Sequence, residues 1–216
     1  MKILLLGKSG QVGNALMPLL TRLAQSTDAG ALVALGRADV DLSDAAALAQ
    51  AVQQVQPALI VNAAAHTAVD RAETEPDIAF AINALAPGVL AQQAANLNAL
   101  LVHYSTDYVF DGSQRTPYRE RDPTHPLGVY GQSKLAGEQA VQTSGCRHLL
   151  LRTSWVYDNT GRNFLTTMLR LAKQHGKLRV VGDQHGSPTS AAMIAEASLQ
   201  LIRSMLNQPA MQGGLY

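Results

Sequence analysis

The stretch "KILLLGKSGQVG", residues 2–13, decides the fold class of this 216-residue chain. An apolar run after Lys2 is followed directly by glycines at positions 7, 10 and 13, and an apolar-periodic segment continues from Gln11. A glycine turn between a strand and a helix lets the backbone approach a phosphate group, while the free amides of the helix point at the same group. The stretch therefore predicts a strand, a nucleotide-binding turn and a helix at the start of the chain.

The same alternation of short apolar runs and helix-length segments continues to residue 153. The predicted strands cover 2–6, 31–35, 58–62, 100–105 and 148–153, and the predicted helices cover 11–25, 43–55, 76–98 and 129–143. Most of the runs lack the in–out alternation of a half-exposed strand, which indicates that both faces of the sheet are covered. We therefore predict an α/β fold with a doubly wound, Rossmann-like parallel sheet and a ligand crevice at the carboxyl ends of its strands.

The balance of charged side chains limits the class of partner. The 17 basic and 16 acidic residues give a formal net charge of +1, which argues against a nucleic-acid or membrane-surface role that depends on bulk charge. Cys146 is the single cysteine and has no partner for an internal disulfide. The opening apolar run is too short for a signal peptide or a membrane span. We expect a soluble protein of the cytoplasm.

The end of the second strand indicates a preference between two dinucleotides. In "LGRADVDLSD", residues 35–44, Gly36 and Arg37 stand where a dinucleotide fold faces the adenosine ribose, and the first acid is Asp39. An acid at this position prefers a free 2′-hydroxyl, whereas an arginine can accommodate a 2′-phosphate. The pattern favours NADPH over NADH, with NADH tolerated, although a solvated loop arginine would give the same pattern at Arg37.

The third and fourth strands end in segments that suit a ligand at the same edge of the sheet. In "VNAAAHTAVDRAE", residues 61–73, the alanines leave room for a cofactor beside the backbone, or for a tight crossing from strand to helix. In "YSTDYVFDG", residues 104–112, Ser105 and Thr106 bring two hydroxyls to the crevice. The sequence thus adds a hydroxyl pair to the predicted phosphate site.

A tyrosine and a lysine follow one element later, in "GVYGQSKLAGEQA", residues 128–140. Tyr130 and Lys134 share one helix face, because residues four apart are neighbours on an α-helix. Such pairs also occur by chance on amphipathic helices. Their position directly after the hydroxyl pair favours a chemical role over chance.

The order of these motifs resembles that of the extended short-chain dehydrogenase/reductases, in which GxxGxxG, a strand-four Ser or Thr and YxxxK follow one another. The segments "AAAHTAVDRAE", "STDYVFDG" and "RTSWVY" are similar to the dTDP-4-dehydrorhamnose reductase branch of that family, and the likeness runs from residue 1 to the final "GGLY". The resemblance implies a dinucleotide-binding domain over 1–150 and a partial substrate-binding lobe over 151–216, intertwined with it.

The resemblance also implies an activity, the NADPH-dependent reduction of dTDP-4-dehydro-β-L-rhamnose to dTDP-β-L-rhamnose for bacterial cell-surface polysaccharide. Tyr130 would be the general acid. Lys134 would lower the pKa of the Tyr130 phenol and hold the hydroxyls of the nicotinamide ribose. Thr106 would hydrogen-bond the C4 carbonyl oxygen of the sugar, with Ser105 as its alternative.

Further residues are assigned to the two ligands by the same resemblance. The cofactor would contact Gly7, Gly10, Gln11, Val12, Arg37, Asp41, Leu42, Ala63, Ala64, Ala65, Tyr104, Tyr130 and Lys134. The sugar nucleotide would contact Ser105, Thr106, Asp107, Tyr108, Tyr130 and Trp155, with His66 and Asn163 as further candidates. Asn83 would support the lysine. The alternative for Trp155 is a core aromatic, and Tyr108 would form either the crevice wall or the core.

Two departures from the family pattern add expectations. Ala15 and Ala192 stand where relatives can carry glutamates that bind magnesium at a dimer contact, so we expect no metal there. We expect the protein to be a monomer or a homodimer. The family continues beyond Tyr216, so we expect an incomplete C-terminal lobe and weakened binding of dTDP. Two other functions stay open, an NADP-binding regulatory subunit similar to that of methionine adenosyltransferase, and a nucleotide-sugar epimerase with tightly held NAD.

Overall fold

The structure is a computed structural model that describes residues 1–208, 210–211 and 213–216. Its strands are β1 (Lys2–Leu6), β2 (Ala31–Leu35), β3 (Leu59–Asn62), β4 (Leu100–Thr106), β5 (Arg147–Thr153), β6 (Val156–Tyr157), β7 (Thr189–Ser190) and β8 (Gly213–Leu215). Its α-helices are α1 (Gln11–Gln25), α2 (Ala45–Val55), α3 (Val69–Thr74), α4 (Pro76–Phe80), α5 (Ala86–Leu97), α6 (Val129–Thr143), α7 (Phe164–Gln174) and α8 (Ala191–Asn207). A π-helical turn over Ala81–Leu85 joins α4 to α5, and a 3₁₀ turn over Asp107–Val109 follows β4.

Six strands form one parallel sheet in the order β2-β1-β3-β4-β5-β8. The chain leaves β1 for β2 on one side and returns to the other side of β1 for β3, so the winding direction reverses beside β1. Leu6, Asn62 and His103 are direct neighbours across β1, β3 and β4. The predicted doubly wound parallel sheet is confirmed, and its ligand crevice belongs at this reversal.

Helices cover both faces of the sheet, as the continuous apolar runs indicate. Successive residues of β1 point to opposite faces, so Ile3 and Leu5 pack in one core cluster with α1 and α8, and Leu4 and Leu6 pack in the other with α2 and α5. All four side chains are fully buried. Burial of one such side chain contributes about 1.5–3 kcal/mol, so the core holds the glycine turn after β1 in place.

Helix α2 begins two residues later than predicted, because the Asp44 carboxylate accepts the backbone N–H of Ala47 and caps the helix. The helix predicted over 76–98 ends at Leu97, since Asn98 adopts a left-handed conformation. Among the described residues, Pro76–Leu97 is the one helix that is long and apolar enough to cross a membrane by length and composition. Its residues Leu90 and Ala94 are buried in the core beneath α2 and the sheet.

Residues after 151 contribute to more than one part of the structure. Helix α8 packs against α1 in the core, and β8 pairs with β5 at the edge of the main sheet. The short strands β6 and β7 form a separate parallel pair. Helix α7 buries none of its residues, and Phe164 and Leu169 are more than half exposed. The division of the chain at residue 150 therefore stays a prediction.

Candidate active site

A cleft of about 650 Å³ opens at the carboxyl ends of β1, β2, β3 and β4. Its walls come from the glycine turn, the loops after β2 and β3, the end of β4 and the first turns of α6. Every residue predicted to contact the cofactor lies in this lining, namely Gly7, Gly10, Gln11, Val12, Arg37, Asp41, Leu42, Ala63, Ala64, Ala65, Tyr104, Tyr130 and Lys134. Segments far apart in the chain thus converge on a single cleft.

The glycine turn is shaped by close backbone contacts that other residues would prevent. Gly7 has a φ of +84°, and a Cβ at this position would lie 2.7 Å from the backbone nitrogen of Ala64. A Cβ on Gly13 would lie 2.0 Å from the carbonyl oxygen of Gly7. Helix α1 begins after Gly10, which has no side chain to cap its first amides. These free N–H groups lie at the cleft and suit an anionic phosphate group.

The loop after β2 presents Arg37 beside an acid that is already paired. The Asp39 carboxylate lies 2.7 Å from the Lys8 ammonium and accepts the backbone N–H of Gly36 at 2.7 Å. The hydrogen bond from Lys8 is the main reason that the pKa of Asp39 is lowered. Because Asp39 is engaged and Arg37 lines the cleft, the loop suits a 2′-phosphate better than a free ribose hydroxyl.

Asn83 ties the loop after β3 to α6. It lies in the π-helical turn, where its side chain accepts the backbone N–H of His66 at 2.9 Å and donates to the His66 carbonyl at 3.0 Å. The same amide donates to the Ser133 hydroxyl at 3.0 Å. Asn83 thus contacts the helix that carries Lys134, and its support of the lysine itself stays a prediction. Single π turns of this kind are frequent at functional sites.

Lys134 is buried, and its amino group is directed at the backbone. Its Nζ donates to the Tyr104 carbonyl oxygen at 2.6 Å and lies 3.4 Å from His103 Nε2. Burial lowers the pKa of Lys134 to about 8, and the charge of Glu138 opposes this shift. Arg152 engages that carboxylate through two hydrogen bonds of 2.8 and 2.6 Å.

The pKa of Tyr130 is raised, whereas the sequence predicted that Lys134 would lower it. Burial of the phenol is the main cause, and a hydrogen bond with Thr106 opposes it. Lys134 does not offset the burial, and its Nζ donates to the Tyr104 carbonyl oxygen. The two side chains nevertheless line the same cleft, as their four-residue spacing on α6 requires.

The hydroxyls at the end of β4 differ in their partners. Ser105 is buried in the cleft lining, and its Oγ makes no hydrogen bond within the described part of the chain. Thr106 Oγ1 donates to Asp107 at 3.2 Å and accepts the backbone N–H of Tyr108 at 3.2 Å. The Tyr108 ring packs edge-on against Tyr130, with centroids 5.5 Å apart. Thr106 and Tyr108 therefore lie beside Tyr130, just outside the cleft lining.

Trp155 and Asp107 also lie beyond the cleft lining. The Trp155 indole is 41% exposed, so it is not a core aromatic, and its backbone has a φ of +45°. A Cβ on Gly186 would lie 2.6 Å from this indole, so the loop before β7 packs closely on the ring. Asp107 accepts the Ser154 hydroxyl at 2.6 Å, which fixes the segment that leads to Trp155. The substrate roles of these residues stay predictions.

Several residues of the cleft were not predicted from the sequence: Ser9, Val40, Thr67, Ala68, Arg71, Ile82, Thr153, Val156, Gly161 and Arg162. The last two come from a loop that Asn163 holds, because its amide donates to the Gln11 side chain at 2.9 Å. Asn163 also caps α7. These partners are distant in sequence, and no local pattern connects them.

No metal site is visible in residues 1–208, 210–211 and 213–216, which contain no group of three or more His, Cys, Asp or Glu side chains that could hold an ion. The absence of magnesium at Ala15 and Ala192 stays a prediction. The cleft instead offers backbone amides, Arg37 and hydroxyl groups, which are the donors that a phosphorylated dinucleotide requires.

Comparison with known proteins gives one consistent result. The sequence model of the family described as the RmlD substrate binding domain matches residues 1–216. The dTDP-4-dehydrorhamnose reductase of Shigella flexneri is 46% identical over 217 residues, and that of Salmonella typhimurium is 47% identical over 220; each match covers 99% of this chain and 71% of the relative. The crystal structure of dTDP-4-dehydrorhamnose reductase from Bacillus anthracis in complex with NADP matches with a TM-score of 0.89 and 35% identity, covering 100% of this chain and 73% of that one.

Proposed function

Because the chain belongs to the dTDP-4-dehydrorhamnose reductase family, we propose that it reduces the 4-keto group of dTDP-4-dehydro-β-L-rhamnose with NADPH, giving dTDP-β-L-rhamnose. This is the last step of dTDP-rhamnose synthesis. One observation carries the proposal: Tyr130 and Lys134 line the same cleft as the glycine turn. A proton donor and a phosphate-binding turn within one cleft suit a reaction between a dinucleotide and a ketone.

The cofactor, when bound, supplies the hydride that the C4 carbon accepts. The carbonyl oxygen must then gain a proton, and Tyr130 is the acid in the cleft that can provide it. Thr106, which lies at the end of β4 with its hydroxyl bonded to Asp107 and the Tyr108 amide, orients the same oxygen. After proton transfer, the ammonium of Lys134 stabilises the phenolate.

The binding of the two ligands is divided along the cleft. The free amides in the first turn of α1 hold the pyrophosphate, and Arg37 holds the 2′-phosphate. Ser105 offers a buried, unengaged hydroxyl to the substrate or to the nicotinamide end of the cofactor. Tyr108 and Trp155, both partly exposed, bound the sugar ring. Large aromatic faces of this kind suit the apolar side of a sugar.

We place this reaction in the cytoplasm, where nucleotide sugars are made. A net charge of +1 gives no support for a nucleic-acid or membrane partner. The small-molecule nucleotide sugar is thus the main partner, in a protein that is a monomer or a homodimer. Size-exclusion chromatography with light scattering would decide between these two states.

A turnover assay tests the proposed function. We expect the purified protein to oxidise NADPH only when dTDP-4-dehydro-β-L-rhamnose is present, with one sugar reduced for each NADPH consumed. Binding of NADPH without turnover at saturating substrate would contradict the reductase and favour a regulatory subunit. Interconversion of sugar epimers without net NADPH oxidation would instead identify an epimerase.

Arg37 should decide the preference between NADPH and NADH. We expect Arg37→Ala to weaken NADPH binding about tenfold, which corresponds to about 1.4 kcal/mol, because a charge-assisted hydrogen bond to the 2′-phosphate is lost. NADH lacks this phosphate, so its affinity should not change. Fluorescence titration measures both, with Arg203→Ala as the control, since Arg203 is exposed on α8 away from the cleft lining. An equal loss for both dinucleotides would contradict the role of Arg37.

A further inference from the structure

A row of buried polar side chains lies behind the cleft. Asn62 on β3, His103 on β4 and Lys134 on α6 are each at most 2% exposed. Asn62 and His103 are direct neighbours across the two strands, and neither lines the cleft. Buried polar groups are costly unless they are hydrogen-bonded. The reaction proposed above gives no role to His103, so its contacts require an explanation.

The orientation of Asn62 determines which nitrogen of His103 carries a proton. Asn62 Oδ1 accepts the backbone N–H of Ala64 at 3.2 Å, so its Nδ2 is the atom that faces His103 Nδ1 at 3.1 Å. An amide nitrogen can only donate, so Nδ1 must be the acceptor. Burial is the main reason that the pKa of His103 is held well below its usual value. The ring is therefore neutral, with its proton on Nε2.

The protonated Nε2 of His103 faces Lys134 Nζ at 3.4 Å. An ammonium group has three donors and no acceptor, so a charged Lys134 places two donors opposite each other. A neutral amine has one lone pair. It can accept from His103 Nε2 while it donates to the Tyr104 carbonyl, 2.6 Å away. The geometry is satisfied at every atom only when Lys134 is uncharged.

The surrounding charges do not remove this conflict. The elements packed against α6 carry the following charged and titratable side chains: Asp70, Arg71 and Glu73 on α3, Asp77 on α4, His103 and Tyr104 on β4, Asp107 and Tyr108 in the 3₁₀ turn, and Arg147, His148 and Arg152 on β5, together with Tyr130 and Glu138 on α6 itself. Glu138 is the group that favours the ammonium, and its carboxylate is engaged in the two hydrogen bonds from Arg152. The Tyr104 phenol is paired with Ser198 at 2.7 Å.

We propose that His103, oriented by Asn62, is a positioning residue that favours the neutral amine form of Lys134, and that binding of a nicotinamide dinucleotide makes Lys134 take up a proton from solvent. The proton uptake rests on the proposed function, which identifies the ligand as a nicotinamide dinucleotide. The phosphates of the dinucleotide bring negative charge into the cleft and so favour the ammonium. The charged lysine then stabilises the phenolate of Tyr130, so the acid reaches working strength only with its cofactor.

The tautomer of His103 tests the first part directly. Nitrogen-15 NMR of the protein without cofactor should show His103 neutral, with its proton on Nε2, and the signal is assigned by its loss in His103→Gln. This measurement needs no other variant to fold. A proton on Nδ1 would overturn the proposal, because Nε2 would then be free to accept from a charged lysine.

Asn62→Asp should reverse the donor and acceptor roles of the two His103 nitrogens. A carboxylate of the same shape can only accept, so the His103 proton should move to Nδ1 and Nε2 should accept from Lys134. We expect the pKa of Lys134, followed through the carbon-13 NMR signal of its ε-carbon, to rise by more than about one unit. Asn96→Asp is the matched control, because Asn96 is exposed on α5 and its side chain accepts a hydrogen bond from the Gln92 side chain. An upward shift with an unchanged tautomer, or an equal shift in the control, would contradict the role of His103.

Calorimetry tests the second part. NADPH binding is measured at a pH just above the pKa of Lys134, which is about 8. Two buffers that differ in their heat of ionisation are used, so that proton uptake can be separated from binding. We expect uptake of a substantial fraction of one proton by the unmodified protein, and little uptake by Asn62→Asp. Binding without uptake in the unmodified protein would overturn the proposed coupling. A failure to bind NADPH would overturn the proposed function, and the two NMR results would still decide the role of His103.

Discussion

Tyr130→Phe should lower kcat about 10²–10⁴-fold, the usual contribution of a general acid, and leave NADPH affinity close to that of the unmodified protein. The substitution removes the proton donor and keeps the ring, so the edge-on contact with Tyr108 at 5.5 Å is retained. Nothing else in the cleft lining offers a phenol except Tyr104, whose hydroxyl is paired with Ser198. Steady-state kinetics and fluorescence titration measure the two quantities.

Tyr118→Phe is the control for this loss. The Tyr118 hydroxyl also makes a short hydrogen bond, 2.7 Å to Asp111, and its ring stacks on Phe110 outside the cleft lining. Removal of this hydroxyl should leave kcat unchanged. An unchanged kcat in Tyr130→Phe, or an equal fall in both variants, would contradict the assignment of Tyr130 as the acid.

Gly13→Ala should abolish measurable binding of NADPH and destabilise the protein. Its Cβ would lie 2.0 Å from the Gly7 carbonyl oxygen and 3.2 Å from the Lys8 Cα, and both are backbone atoms that can move only if the turn opens. Overpacking of this kind costs about 1–3 kcal/mol, and occasionally more. An opened turn no longer directs the first amides of α1 at a phosphate group. Thermal unfolding and cofactor titration report the two effects.

Gly88→Ala provides the matched control for the added methyl group. Gly88 lies in α5, and its Cβ would meet only the Ala140 side chain at 3.4 Å. Alanine is favoured over glycine inside a helix by about 0.5–1 kcal/mol, so stability should be kept or raised and NADPH affinity retained. Normal NADPH binding by Gly13→Ala would show that the glycine turn is not the phosphate site.

The fold was largely predictable because its signals are local. The apolar run over residues 2–6 is a buried strand, and the periodicity over 11–25 ends where the helix ends. The cleft followed from the same reasoning, since parallel strands bring their carboxyl ends to one edge. Glycines followed by a helix, a hydroxyl pair and a Tyr–Lys pair each have short signatures, and the structure places all of them in or beside one cleft.

The electrostatics of the site could not be predicted in this way. A four-residue spacing predicts that Tyr130 and Lys134 share a helix face, but it does not report burial. Burial raises the pKa of the Tyr130 phenol and lowers that of Lys134, and it depends on packing between distant elements. The network through Asn62 and His103 was missed for the same reason, because its members are separated by 41 and 31 residues.

The loop that carries Arg162 and Asn163 illustrates a second limit. Its contact with Gln11 joins residues 152 positions apart, and polar loop residues carry no periodic signal. The positions of α8 and β8 beside the dinucleotide-binding elements were also not specified, because both depend on packing against α1 and β5. Local chemistry predicts which groups reach the edge of a sheet, and only tertiary packing decides which distant segments join them.

The transfer of deuterium from the cofactor to the sugar tests the central claim most directly. NADPH that carries deuterium at the reactive position of its nicotinamide is mixed with the enzyme and dTDP-4-dehydro-β-L-rhamnose, and the product is analysed by NMR. We predict dTDP-β-L-rhamnose with deuterium bound to carbon 4. Recovery of unreacted ketone with the label still in the cofactor, or of product without label at carbon 4, would contradict hydride transfer in this cleft.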